Sequence, residues 1–306
     1  MLKLIDGLEA MSRNRDLAVA CRQYLTRYPK TPQTADITRR LAYTLEALGE
    51  YVPAAEAYKS LWEMQPNANG RDDGYAAVRL YTRSDKREDV AIGCELAEAM
   101  FDRLGPSPYT ERILWHGFFQ YRRFNEWAKA NVVGRKMLAK NLPRDAEQKH
   151  TLHRYMAENF ANQAQYTNAV ESYQAARKIR QDDQNVHYYL IERMHNATMS
   201  AAQMAPVVDA YMKTYSDRFD RFSRLGYLGY AYLRDGDKIK ARQIFQQTMA
   251  EHATIHSVAS QYISTFGTEP AEIAAAEKGL QDAIKTNKYD AYYLQYLLGF
   301  TIYRDR

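Results

Sequence analysis

The chain has 306 residues, 46% hydrophobic and 26% charged, which leaves enough apolar surface for a core and excludes global disorder. Its 14 glycines and 9 prolines leave little material for turns, while abundant Leu, Ala, Glu, Gln, Arg and Lys point to helices. The 42 basic and 37 acidic residues are scattered, so the net charge of +5 forms no basic run of the kind that marks a nucleic-acid arm or membrane patch.

In chain order, residues 1–7 carry no long apolar segment, so no signal peptide is expected. Ala20, Tyr24 and Pro32 then recur 34 residues later as Ala54, Tyr58 and Pro66, with Gly49 and Tyr51 at the turn and helix start between them. This defines two units, 1–34 and 35–68. The spacing has a physical basis. Two antiparallel helices that cross closely need a small side chain at the crossing, an aromatic one turn on fills the gap to the next hairpin, and Pro stops the second helix. A lone hairpin cannot bury its apolar stripe, so neighbours stack.

A helix near 72–83 pairs with one near 87–103, stopped by Gly105-Pro106. Ser107-Pro108 reads as an N-cap followed by Pro at the first helical position, opening a helix near 108–122 whose partner ends before Pro143. Met156-Ala157, Phe160, Tyr166, Ala169, Tyr173 and Ala176 restate the pattern in a unit near 150–183. The hairpin from about 185 to 215 is expected to begin its second helix near Pro206. Leu228-Gly229 and Tyr232, the turn Asp235-Gly236-Asp237, and Ala241 and Phe245 mark a unit at 222–255. There Gly229 lets two helices touch. The last complete hairpin begins near 256 and turns at residues 267–270. Residues 292–302, rich in Tyr and Leu, read as the first helix of a truncated ninth unit, 289–306.

These residues resemble the tetratricopeptide-repeat (TPR) family, at the level of motif over about half the chain and of architecture over all of it. The resemblance implies an all-α fold: a right-handed α-α superhelix in which residues 1–306 form one continuous array of about eight hairpins plus a final single helix. It also implies that the first helix of each pair lines an inner, concave wall. Carrying the register over places Arg39, Arg40 and Tyr43 there, then Trp115, His116, Phe119, Arg122 and Arg123. Arg154, Tyr155 and Glu158 follow, then Arg193 and Asn196, then Tyr227, Tyr230 and Arg234, and finally Tyr296, Phe300 and Tyr303. The set is aromatic and arginine with few acids, and the 25 tyrosines of the chain suit half-exposed walls. Such a wall suits a peptide or protein partner carrying acidic and apolar residues. The alternative is that the rings pack between helices and the arginines are solvated. The family's chaperone-tail clamp uses Lys and Asn where this chain has Arg39 and Tyr43, which argues against that function.

No Gly-rich phosphate loop is present. The seven histidines (116, 150, 153, 187, 195, 252 and 256) stand in no metal-binding motif, and Cys94 has no base beside it in sequence. The expectation is therefore a non-enzymatic scaffold with no cofactor and no metal. It would bind no nucleic acid and insert no segment into a membrane, and its final helix could mediate self-association. Cys21 and Cys94 read as unpaired thiols, favouring the cytoplasm. A second reading makes the chain a structural segment of a larger bacterial envelope or secretion protein, and so periplasmic.

Overall fold

A computed structural model describes residues 1–216, 221–251 and 256–266, with isolated positions between 270 and 299. Among the described residues the chain is helical, with fifteen helices and no strand. It divides into two compact units, Met1–Leu152 and His153–Arg306.

The first unit holds α1 (Leu2–Ala10), α2 (Asn14–Arg27), α3 (Thr34–Ala47), α4 (Tyr51–Met64), α5 (Arg71–Tyr81), α6 (Arg87–Leu104), α7 (Pro108–Arg123) and α8 (Trp127–Ala139). Each odd helix packs on the even helix that follows, and each even helix on the next odd one. The small and aromatic positions read from the sequence lie in the core: Ala20 and Ala54 are buried, as are Tyr24 and Tyr58. Gly105, at φ 74°, ends α6 in a conformation that costs other residues more. Ser107 then opens α7 with a capping box: its Oγ accepts from the Thr110 N–H while the Thr110 side chain accepts from the Ser107 N–H, and Pro108 follows at the first helical position.

The division between the units falls within α9 (Ala146–Asn162). The second unit continues with α10 (Tyr166–Ile179), α11 (Gln184–Asn196), α12 (Ala201–Thr214), α13 (Arg221–Arg234), α14 (Lys238–Glu251) and α15 (His256–Phe266). Its core includes Tyr173, Leu190, Val208, Tyr211 and Leu228. At Gly229 an added Cβ would stand 2.4 Å from Phe245 Cε1, so α13 and α14 approach each other as the sequence suggested.

One expectation is overturned. α12 begins at Ala201, with Pro206 inside it, because Ser200 and Gln203 form a capping box ahead of the proline. The Asp235 carboxylate, 34 residues on, also accepts from the Ala201 N–H at 2.6 Å. A proline in the second turn loses its own backbone bond and crowds the carbonyl four residues back, and the two caps offset part of that cost. Residues 267–269 of the expected turn at 267–270, and most of the expected final helix, including Phe300 and Tyr303, lie outside the described residues.

The repeat is visible in polar contacts between residues 34 apart. Arg40 donates to Asp6 at 2.7 Å, Arg39 to Asp73 at 2.9 Å and Lys136 to Asp102 at 2.8 Å. His116 and Thr82 are bonded at 2.5 Å, and Ala201 with Asp235 completes the set. Yet the first helices from α3 onward start at 34, 71, 108, 146, 184 and 221, which is 37 or 38 residues apart. The hairpin α3–α4, which carries the plainest sequence motif, already shows the 37-residue spacing, so the contacts at 34 and the helix starts do not share one period.

Candidate functional site

The exposed faces of the first helices carry the residues singled out from the sequence. In the first unit Arg40 reaches three carboxylates: Asp6, Glu9 at 2.9 Å and, through Nε, Asp36 at 3.0 Å. Arg39 pairs with Asp73, and Arg123 with Asp85 at 2.7 Å. Arg79, which sequence reasoning missed, holds Glu46 at 2.5 Å. This face is therefore not poor in acids. Its acids come from α1, α3, α5 and the α5–α6 turn, so successive hairpins are joined by ion pairs, each worth about 0–1 kcal/mol at such exposures.

The aromatic residues divide. Tyr43 is 60% exposed, touching Tyr58 edge-on at 5.8 Å. Trp115 stacks on Phe119 with ring centroids 5.3 Å apart and planes 17° apart, and Phe119 is 43% exposed. Arg122 lies over Phe118 at 6.0 Å. His116 sits half-buried against Thr82, whose hydroxyl also donates to the Val78 carbonyl at 2.7 Å. Burial, followed by the nearby Arg112, lowers the His116 pKa, which keeps the ring neutral.

In the second unit Arg154 lies over Tyr155 at 4.9 Å. Arg193 pairs with Glu192 at 3.0 Å, and Asn196 is half-buried. Tyr227 stacks on His195 at 4.5 Å with planes 19° apart, and Tyr230 lies 5.6 Å from the same imidazole. Arg234 donates to the Met199 carbonyl. Burial, then the nearby Arg234, lowers the His195 pKa.

The sequence reading missed Arg224, which is buried, lies 3.3 Å from the centroid of the Tyr188 ring and pairs with Glu192 at 3.7 Å. The available signal was its place one turn before Tyr227 on the same helix. Beyond these, Tyr296 is 57% exposed.

Among the described residues no group of three or more His, Cys, Asp or Glu could hold a metal ion, and no helix is long and apolar enough to cross a membrane. Cys21 and Cys94 are buried free thiols; burial pushes the first up to about 11 and the second to about 12, the state of inert rather than nucleophilic cysteines.

Antiparallel helical hairpins in succession, tied by contacts that recur at 34 residues, define a TPR-like helical-repeat protein. Solved structures similar to this chain include the C-terminal part of a TPR repeat-containing protein from Cytophaga hutchinsonii, at 11% identity and TM-score 0.42, covering 85% of this chain and 98% of that one. A tetratricopeptide repeat protein from Parabacteroides merdae gives 12% identity and TM-score 0.34, covering 85% and 94%. A thermophilic TPR protein from Thermus thermophilus gives 20% identity and TM-score 0.29, covering 63% and 96%. No protein-family model and no curated protein matches the sequence.

Proposed function

We propose that this chain is a non-enzymatic scaffold that holds a peptide or protein partner on the exposed face of its first helices. The observation that carries the reading is the Trp115–Phe119 stack: two large rings paired with one another, one of them 43% exposed, on a helix whose other face fills the core. Rigid aromatic surface of this kind supplies contact area at low entropic cost when a partner covers it. Arg122 and Arg123 lie one turn beyond, so the favoured partner presents apolar side chains with acids beside them.

The test places a photo-crosslinking phenylalanine analogue at position 119, and at Val132 on α8 as the control, in the native cell extract. A partner captured from position 119 and not from 132, and lost on Trp115→Ala or on Arg122→Glu/Arg123→Glu, supports the reading. The same captured set from both positions, or capture indifferent to these substitutions, removes it.

A further inference from the structure

The second helices carry a different surface. Between α4 and α6 runs an open groove of about 710 Å³. Its floor is apolar: Trp62 from α4 and Leu96 from α6 are buried there, and Ile92, 37% exposed, forms part of the wall. Its rim is acidic, with Glu56 and Glu63 on one side and Glu95 on the other. Lys59 is the basic residue among the lining and pairs with Glu63 at 3.7 Å. Glu56 and Glu95 make no ion pair or side-chain hydrogen bond with any described residue.

A second observation is independent of that charge. Tyr81, the last residue of α5, lines the same groove while only 3% exposed, and its hydroxyl has no hydrogen-bond partner among the described residues. That hydroxyl is not sealed in the core but opens on the groove, where an entering group can bond to it. Burial raises its pKa to about 12, with Glu56, Asp89 and Glu63 adding in that order, so the hydroxyl stays protonated beside the carboxylates. Its oxygen lone pairs, like the carboxylates around it, call for a donor that brings positive charge.

We infer that this groove binds a lysine or arginine of a partner protein, flanked by apolar residues. The stem of the long side chain lies along Ile92, Leu96 and the Trp62 ring. Its cationic head stands between Glu56 and Glu95 and donates to the Tyr81 oxygen. Stems of this length bury readily while the head keeps its polar partners. The neighbouring groove between α2 and α4, about 480 Å³, shares Glu56 but is lined as well by Arg22, which Glu50 holds at 3.2 Å, so it lacks this charge preference. The surface lies on the second helices, so the inference stands or falls apart from the partner proposed for the first helices.

The experiment uses the full chain and a short fluorescein-labelled peptide of alternating lysine and leucine, with a glutamate–leucine peptide as the charge-reversed control. Binding is read by anisotropy, and contacts by zero-length carbodiimide coupling of lysine amines to protein carboxylates, mapped by mass spectrometry. The lysine peptide is expected to couple at Glu56, Glu63 and Glu95, and the glutamate peptide not to bind. Glu56→Gln/Glu95→Gln, both exposed and free of structural pairs, should weaken binding about tenfold, as loss of complementary charge at an interface does. Tyr81→Phe, which removes one oxygen and keeps the ring, should weaken it about fivefold. Coupling spread over carboxylates elsewhere, such as Asp16 and Asp72, overturns the inference. So does an affinity unchanged in the Glu56→Gln/Glu95→Gln protein, or a lysine peptide that does not bind.

Discussion

Two glycines inside helices illustrate how little separates a required residue from a replaceable one. At Gly229 a methyl group would meet Phe245 at 2.4 and 2.6 Å and Ile244 at 3.2 Å, and Phe245 is fully buried with nowhere to turn. Gly229→Ala is expected to destabilise the protein by about 1–3 kcal/mol, because α13 and α14 must part to admit it. At Gly117 the nearest atoms to the same methyl are Ala97 Cβ at 3.8 Å and Cys94 Cα at 3.9 Å, ordinary contacts. There alanine has room and a better helix propensity, and Gly117→Ala should stabilise by about 0.5–1 kcal/mol. Urea unfolding of both variants beside wild type checks the pair, and equal shifts in the same direction would show that close approach is not what fixes Gly229. The sequence pointed to Gly229 through its place in a repeat motif, but nothing in it separates the two sites. The difference is a gap of about 1.4 Å between neighbouring atoms, set by how far apart the helices stand.

At the level of the helix, end signals override interior ones. Pro206 looked like the start of α12 because proline is favoured in a first turn and disfavoured further in. The helix instead starts five residues earlier, where Ser200 and Gln203 satisfy each other's backbone donors and the Asp235 carboxylate takes the Ala201 N–H. A carboxylate at that end also meets the positive pole of the helix. Ser200→Ala should therefore cost about 1 kcal/mol, and the loss should add to that of Asp235→Ala, which removes the side-chain acceptor of a different backbone N–H. Thermal unfolding of the two single variants and the double variant measures this; a silent Ser200→Ala would mean that Asp235 alone sets the helix start. Asp235 could not have been found from local sequence, since its partner lies 34 residues away. The same limit hid the α4–α6 groove: Glu56 and Glu95 belong to different hairpins and meet only when these stack. By contrast, the TPR-like helical pairs themselves were legible, because a small residue followed by an aromatic one turn later is a local pattern. Helix spacing is not what hides the weaker units in mid-chain, because first helices begin 37 residues apart across the clear unit at 35–68 as well.

Across the molecule, burial of imidazoles couples stability to pH. His187 is 3% exposed, with Arg177, Asp183 and the edge of the Tyr215 ring around it. Burial first and Arg177 second lower its pKa to about 4, while Asp183 opposes them. His116 and His195 are lowered in the same direction, again by burial first. Above the ordinary histidine range both the folded and unfolded chains hold these rings neutral, and their titration contributes nothing to stability. As the pH falls through about 6.5 the unfolded chain takes up protons that the folded chain refuses, so stability declines. For His187 the decline continues until the folded ring protonates near pH 4 and then levels off. At about 1.4 kcal/mol per pH unit, His187 alone accounts for a loss of roughly 3 kcal/mol over that span, with His116 and His195 adding to it. The raised pKa values of Glu98 and Glu111, which burial causes, act in the opposite sense, because those carboxyls take up protons more readily folded than unfolded. The net slope is thus expected to be steepest between about pH 6.5 and 5, before the carboxyls titrate fully. Urea midpoints followed by circular dichroism at pH 7, 6 and 5 should fall stepwise, and His187→Leu should flatten the series. A midpoint that holds constant over this range would mean that protonated His187 finds in the folded chain a partner as good as water.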